Sequence, residues 1–270
     1  MTDQERPLHG WALILGASSG FGGATALALA RRGMHVFGVH MDRKATLPNV
    51  ERIVGEIRVL GREAVFFNVN AADAEKRQEV LDRIAALLDE RGEPGAVSLL
   101  LHSLAFGALK PYLADDPKET LSQSQMEMTL DVMAHSLVYW TQELLRRKLM
   151  GPGGKLFAMT SSGGNHVWPT YGAVSAAKAA LEAHIRQLAY ELAPYRITAN
   201  SIRAGVTDTP ALRKIPGNDR MIEGARARNP HRRLTTPEDV AEAIAALCAH
   251  GTHWITGNVL GVDGGEDLTG

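Results

Sequence analysis

Trp11-Ala-Leu-Ile-Leu15 runs without a break into Gly16-Ala-Ser18-Ser19-Gly20-Phe21-Gly22-Gly23, and an apolar stretch from Ala24 to Arg32 follows. Five apolar residues bounded by a glycine read as a short buried strand, and the later stretch reads as a helix. Strand, glycine loop and helix in that order form the first βα unit of a dinucleotide-binding fold. Glycines permit the tight turn and let the backbone approach a pyrophosphate. The helix N-terminus offers that anion free N–H groups and a positive dipole end. The spacing is Gly-x-x-x-Gly-x-Gly rather than Gly-x-Gly-x-x-Gly. Packing alone also accounts for a glycine-rich loop, so its place after the first strand carries the reading. Gly16, Ser18, Ser19, Gly20, Phe21 and Gly22 are the candidate cofactor contacts here.

Outward from this unit, strands and helices alternate. Met34 to Val39 reads as the second strand, ending at His40 with Arg43 and Lys44 just beyond. An acid at this strand end accepts hydrogen bonds from the ribose of NAD, whereas a 2′-phosphate needs cations. His40, Arg43 and Lys44 therefore point to NADPH, and Asp42 keeps NADH as the alternative. The third strand, Ala64 to Phe67, ends at Asn68 and Val69, where an adenine edge would lie. Helices are expected at 50–60 and 73–90. The fourth strand, 97–101, delivers His102-Ser103-Leu-Ala-Phe106-Gly107 to the carboxyl edge of the sheet, with Ser103 beside the expected nicotinamide ribose. A long helix over about 120–149, a fifth strand over 155–159, a helix over 171–193 and a sixth strand over 196–202 follow. Residues 204–235 are rich in Pro, Gly and Arg and too long for an ordinary connection, so they read as a substrate lid with short helices. Thr236 is a plausible N-cap before Pro237. The helix it starts carries Cys248 as buried packing, and 258–262 is the last strand. The pattern predicts a single α/β domain over residues 1–270, a doubly wound, Rossmann-like parallel sheet.

Composition narrows the function classes. The 270 residues carry a net charge of −1, so no attraction to nucleic acid or anionic membrane is expected. One cysteine excludes an internal disulfide framework, and no apolar run approaches a membrane span. The opening residues lack the basic and apolar regions of a secretion signal, so a cytoplasmic location is expected. The ten histidines show no metal-ligand spacing on a helix face. His102, His135 and His184 read as structural or solvated, while His166 is the one nearest the proposed site.

The chemistry is concentrated between Thr160 and Ala193. Tyr171 and Lys178 are seven residues apart, which places both on one edge of a helix beginning near Pro169-Thr170. A nearby cation favours the phenolate and makes the phenol a better proton donor. Lysine adds three donors suited to sugar hydroxyls.

Gly16-x-x-x-Gly20-x-Gly22, the Ser161 region, Tyr171 and Lys178 together resemble the short-chain dehydrogenase/reductase family, from Trp11 to about Gly265. The commonest family spacing, Tyr-x-x-x-Lys, would put tyrosine at 174, where this chain has Val174. Tyr-x6-Lys is the spacing of the enoyl-acyl-carrier-protein reductase branch. His102-Ser-Leu-Ala-Phe-Gly, Lys178-Ala-Ala-Leu-Glu-Ala and Arg203-Ala-Gly-Val-Thr-Asp-Thr209-Pro are similar to that branch as well. The resemblance implies that Tyr171 meets a thioester carbonyl and that Lys178 holds the nicotinamide ribose. It also implies that the turn with Gly205, Thr207 and Thr209 holds the carboxamide and pyrophosphate. Ser161 stands where many members of the branch have a second tyrosine, as in an NADPH-using subgroup and in ketoreductases. Met133 replaces the proton-relay asparagine usual in ketoreductases. His166, Phe106 and Tyr171 are the candidate substrate contacts.

The expectation is NAD(P)H-dependent reduction of the double bond of 2-enoyl thioesters, as in fatty acid biosynthesis. A carbonyl or 3-oxoacyl reductase and a non-enzymatic dinucleotide sensor are the alternatives. Arg213, Lys214 and Arg220 could meet an acidic acyl carrier protein. The resemblance further implies a homotetramer built on the two long helices.

Overall fold

In the computed structural model residues 7–269 are described; residues 1–6, part of the stretch read for a secretion signal, and Gly270 lie outside them. The first strand, β1 (Trp11–Leu15), is wholly buried. Its residues are apolar without alternation because the sheet is covered on both faces. Trp11, Leu13 and Leu15 pack into one hydrophobic cluster, and Ala12 and Ile14 into another on the opposite face.

Six further strands join it: β2 (His35–His40), β3 (Ala64–Asn68), β4 (Val97–His102), β5 (Lys155–Ser161), β6 (Thr198–Ala204) and β7 (Val259–Val262). The order is β3-β2-β1-β4-β5-β6-β7, and every pairing is parallel. Helices α1 (Gly20–Arg31), α2 (Leu47–Val59) and α8 (Pro237–Leu247) supply one cluster with Leu29, Ile53 and Ile244. Helices α3 (Ala74–Glu90), α5 (Ser136–Arg146) and α6 (Gly172–Leu192) supply the other with Ile84, Trp140 and Leu181. The chain leaves β1 for β2 on one side and returns as β4 on the other, which opens a crevice at the carboxyl ends. Leu15 pairs with His102, and Ser161 with Ala204. The glycine loop, Ser103, Ser162 and Gly205 therefore leave the sheet at the same edge.

Several boundaries differ from the sequence reading. The single helix expected over 120–149 is α4 (Gln123–Leu130), a π-helical segment (Asp131–His135) and α5. Thr129 Oγ1 donates to the Gln125 carbonyl at 2.7 Å, and Ser136 Oγ to that of Val132 at 2.9 Å. Such back-bonding hydroxyls compete with regular helical bonding and bend helices. Helix α1 begins at Gly20, inside the glycine loop, because the loop closes on itself there: a Cβ at Gly22 would collide with the Gly16 carbonyl. Helix α6 begins after Tyr171, since Thr170 has a left-handed φ of 63°. The sixth strand starts at Thr198, two residues late, because Arg196 also turns left-handed, at φ 57°. Thr236 caps α8 as expected, in a reciprocal capping box with Asp239. Cys248 is the C-cap of that helix, half-buried and packed on the core; burial pushes its thiol up to about 12. Residues 204–235 contain a 3-10 turn (Leu212–Lys214) and α7 (Asn218–Arg228). Among the described residues no helix is long and apolar enough to cross a membrane.

Candidate active site

The carboxyl edge holds a cavity of about 670 Å³. Of the sequence candidates, Phe21, Ser103, Phe106, Ser161, His166, Tyr171, Lys178, Gly205, Thr207 and Thr209 line it. The strand ends, the start of α6 and the turn after β6 bring them together. Gly16, Ser18, Ser19, Gly20, Gly22, His40, Arg43, Lys44, Asn68 and Val69 do not line it; they sit on the glycine loop and at the ends of β2 and β3. A smaller cleft of about 390 Å³ at the amino ends of the strands, walled by His9, His35 and Glu93 among others, carries none of these groups.

Lys178 is buried, and its Nζ donates to the Met159 carbonyl at 2.7 Å. Burial draws its pKa down to about 8 against the pull of Glu182. Tyr171 is the N-cap residue of α6 rather than part of the helix. Burial pushes its phenol up, with a hydrogen bond to Ser161 opposing. This differs from the expectation that Lys178 acidifies the phenol: burial dominates, and the phenol holds its proton more tightly. Ser161, the last residue of β5, also accepts the Gly163 N–H at 3.0 Å. A Cβ at Gly163 would lie 2.6 Å from the Tyr171 ring, so glycine there gives the ring its place. Thr160 donates to Glu182 at 2.6 Å and ties the end of β5 to α6.

Beside these groups the wall is apolar. Val174 and Met133 are both buried and line the cavity. A Cβ at Gly107 would lie 2.9 Å from Val174 and 3.0 Å from Met133, so the loop after β4 packs directly on them. Position 174 offers no donor. His102 is a buried structural residue, as expected. It shares a 2.9 Å hydrogen bond with Ser136, and burial with the charge of Lys178 draws it down to about 3. His135 and His184 bond each other at 3.0 Å. His166 is 69% exposed in its side chain and lies 4.0 Å from Asp267. Phe106 is 51% exposed.

The dinucleotide end fits an anion. No side chain caps α1, and its first turn has no acid, so its N–H groups stand open. Gly20, at φ 52°, faces Thr209 across a gap where a Cβ would be 3.6 Å from Cγ2. The turn after β6 therefore stands over the glycine loop. At the end of β2, His40 is buried and bonds Asp42 at 3.0 Å. Burial raises the Asp42 carboxyl, but hydrogen bonds from Thr46, Ser18 and His40 outweigh it and leave it below its ordinary value. Asn68 is taken up by the Asp42 backbone through two hydrogen bonds of 2.9 and 3.0 Å, so it shapes that loop. Val69 donates to the His40 carbonyl at 2.8 Å. Arg43 and Lys44 are exposed and make no ion pair among the described residues.

Sequence reasoning missed the contribution of the last turn. Glu266 is buried, accepts the Val206 N–H at 3.2 Å, and has its carboxyl pushed up by burial. Asp267 pairs with Arg203 at 3.1 Å. Both line the cavity from beyond β7. The only signal was Gly264-Gly265, both left-handed at φ 61° and 83°, which turns the chain back towards the site. Among the described residues no group of three or more His, Cys, Asp and Glu could hold a metal ion.

The sequence and the fold are similar to those of known proteins over nearly the whole chain. The sequence model of the family described as enoyl-(acyl carrier protein) reductase matches residues 16–266. The chain is 31% identical over 259 residues to 1-cyclohexenylcarbonyl-CoA reductase of Streptomyces collinus, covering 95% of this chain and 86% of that one. It is 29% identical over 254 residues to cis-4-hydroxycyclohexanecarboxylate dehydrogenase of Sinomonas cyclohexanicum, covering 94% and 95%. Among solved structures, the NADH enoyl-[acyl-carrier-protein] reductase of Aquifex aeolicus superposes with a TM-score of 0.80 at 26% identity, over 97% of each chain.

Proposed function

Because the chain belongs to the short-chain dehydrogenase/reductase family and is an oxidoreductase working with a nicotinamide dinucleotide, we propose that it reduces the carbon–carbon double bond of 2-enoyl thioesters. The observation that carries this reading is the placement of the phenol. Tyr171, at the N-cap of α6, is among the described residues the only tyrosine lining the cavity, and Val174, one turn nearer Lys178, has no hydroxyl. One turn is roughly 5 Å along the axis. In ketone reduction the carbon that receives hydride bears the oxygen that receives the proton. In enoyl reduction that carbon is two atoms from the thioester carbonyl, so the oxygen donor has to sit farther from the hydride source. The displaced Tyr171 suits the second geometry, and Met133 in place of the relay asparagine argues the same way. The relative named for a 1-cyclohexenylcarbonyl thioester, whose double bond is conjugated to the carbonyl, supports this class.

The bound dinucleotide would supply the hydride. Tyr171, kept protonated by burial, would donate to the thioester oxygen as negative charge develops there. Lys178 has donors left beyond the Met159 carbonyl for a ribose, and the open end of α1 would take the pyrophosphate. Arg43 and Lys44, free of acids, support NADPH as the reductant; Asp42, although held inward, supports NADH. The segment 204–235 is the proposed lid, and a homotetrameric, cytoplasmic enzyme is part of the same proposal. The dehydrogenase relative keeps a carbonyl reductase as the second reading.

The test is reduction of a 2-enoyl thioester against a 3-oxoacyl thioester of equal chain length, with each reduced cofactor. The enoyl compound should react faster, and faster with NADPH. Tyr171→Phe should lose about 10²–10³ in kcat while still binding cofactor. Faster reduction of the 3-oxo compound would establish the carbonyl-reductase reading instead.

A further inference from the structure

Arg220, Gly224 and Arg228 follow at intervals of four on α7, so they share one stripe of that helix. Arg220 and Arg228 line the cavity together with Met221, and so does Lys214 from the turn before the helix. Among the described residues none of these three cations forms an ion pair. Arg213, next to Lys214, differs: it pairs with Asp208 at 2.7 Å. Arg228 helps to hold down the carboxyl of Glu266 against burial, without an ion pair. Gly224 keeps the stripe open, since a Cβ there would lie 3.3 Å from Arg228 Nη1. By helical geometry the opposite side of α7 carries Asp219, Glu223 and Arg226, and none of these lines the cavity. On this helix positive charge is thus gathered on the cavity side and the acids lie outside, while Glu266 and Asp267 line the cavity from beyond β7. An acidic protein laid against the outer face of α7 would meet like charge. A small polyanion entering the mouth would meet only cations from this helix.

We propose that Lys214, Arg220 and Arg228 form a phosphate subsite for the tail of the substrate, and that the carrier is therefore coenzyme A. The inference rests on the thioester reading above. Guanidinium groups match phosphate oxygens two at a time, and an exposed set of this kind is weakened by salt. Three cations suit the several phosphates of coenzyme A better than the single phosphate of a phosphopantetheine arm.

The experiment compares one 2-enoyl group on three carriers: coenzyme A, an acyl carrier protein, and N-acetylcysteamine, which has no phosphate. Wild-type enzyme should prefer the coenzyme A ester through a lower KM. The double variant Arg220→Ala/Arg228→Ala should lose roughly 10- to 100-fold in kcat/KM on that ester and keep its rate on the N-acetylcysteamine ester. Arg226→Ala should change neither. An intact preference for coenzyme A in the double variant would overturn the subsite, as would an equal loss on both small esters or better turnover of the carrier-protein ester. If wild type reduces the N-acetylcysteamine and coenzyme A esters equally, the subsite falls and the enoyl reading stands. If it reduces none of the three, both fall.

Discussion

Lys178 sits fully enclosed, with its charge opposed by burial and its pKa at about 8 in place of 10.5. In the unfolded chain the amine keeps its ordinary value. Between about pH 8 and 10.5 the unfolded state holds a proton that the folded state has released, so stability rises with pH across that window. Below about 8 the folded protein carries the buried charge, at a cost of about 3 kcal/mol. Lys178→Met should therefore gain on wild type by about that amount on going from pH 10.5 down to pH 7, measured by urea unfolding of the dinucleotide-free protein. A difference between the two proteins that does not move with pH would show that the amine carries no buried charge. Spacing made Tyr171 and Lys178 visible in the sequence, because residue types seven apart on a helix can be read without coordinates. The state of the phenol was not visible. It depends on how the folded chain buries the ring against Ser161 and Gly163, and Gly163 gives no local sign that a tyrosine ring lies against it.

The N-terminus of α1 shows how an element trades stability for binding. Ser19 occupies the N-cap position, is exposed, and makes no capping bond. Ser19→Asp would supply a good cap and an acid beside the positive end of the helix, each worth up to about 1 kcal/mol. The same carboxylate would stand where the pyrophosphate is expected. The variant should melt higher without cofactor and bind NADPH more weakly, two shifts of opposite sign read by calorimetry on one protein. Unchanged affinity with a raised melting temperature would remove the pyrophosphate from this helix end. The strands were legible to within two residues, since apolar runs such as 11–15, 99–101 and 156–159 mark strands covered on both faces. The helix across 120–149 was not: its apolar pattern continues through a π-helical segment, and hydroxyl groups bonding back along the chain interrupt it without disturbing that pattern. The interruption has a consequence for the site, because Met133 lies within it and faces the cavity.

At the scale of the molecule, the alternation of strands and helices is enough to read a doubly wound parallel sheet, and right-handed crossovers leave few strand orders open. It does not say what lies beyond β7. That strand is the edge of the sheet, and Val259 on it is part-exposed. Nearby, Gly257 packs against Ala189 of α6, where a Cβ would be 3.6 Å from its Cβ, so the turn before β7 adjoins the C-terminal half of that helix. Tyr190 and Trp254, on those two segments, are 80% and 89% exposed. An open strand edge flanked by exposed aromatic side chains is a surface that proteins ordinarily cover. The proposed homotetramer should use it, and the enzyme should then sediment at four times the 29.1 kDa of one chain. Trp254→Lys places a charge at that surface without touching the cavity, and should reduce the sedimenting mass to that of a dimer or monomer. Because Trp254 does not line the cavity, the dissociated variant should still bind cofactor. A tetramer that survives both Trp254→Lys and Tyr190→Lys would move the assembly to another face, and a wild-type mass of one chain would remove the assembly altogether.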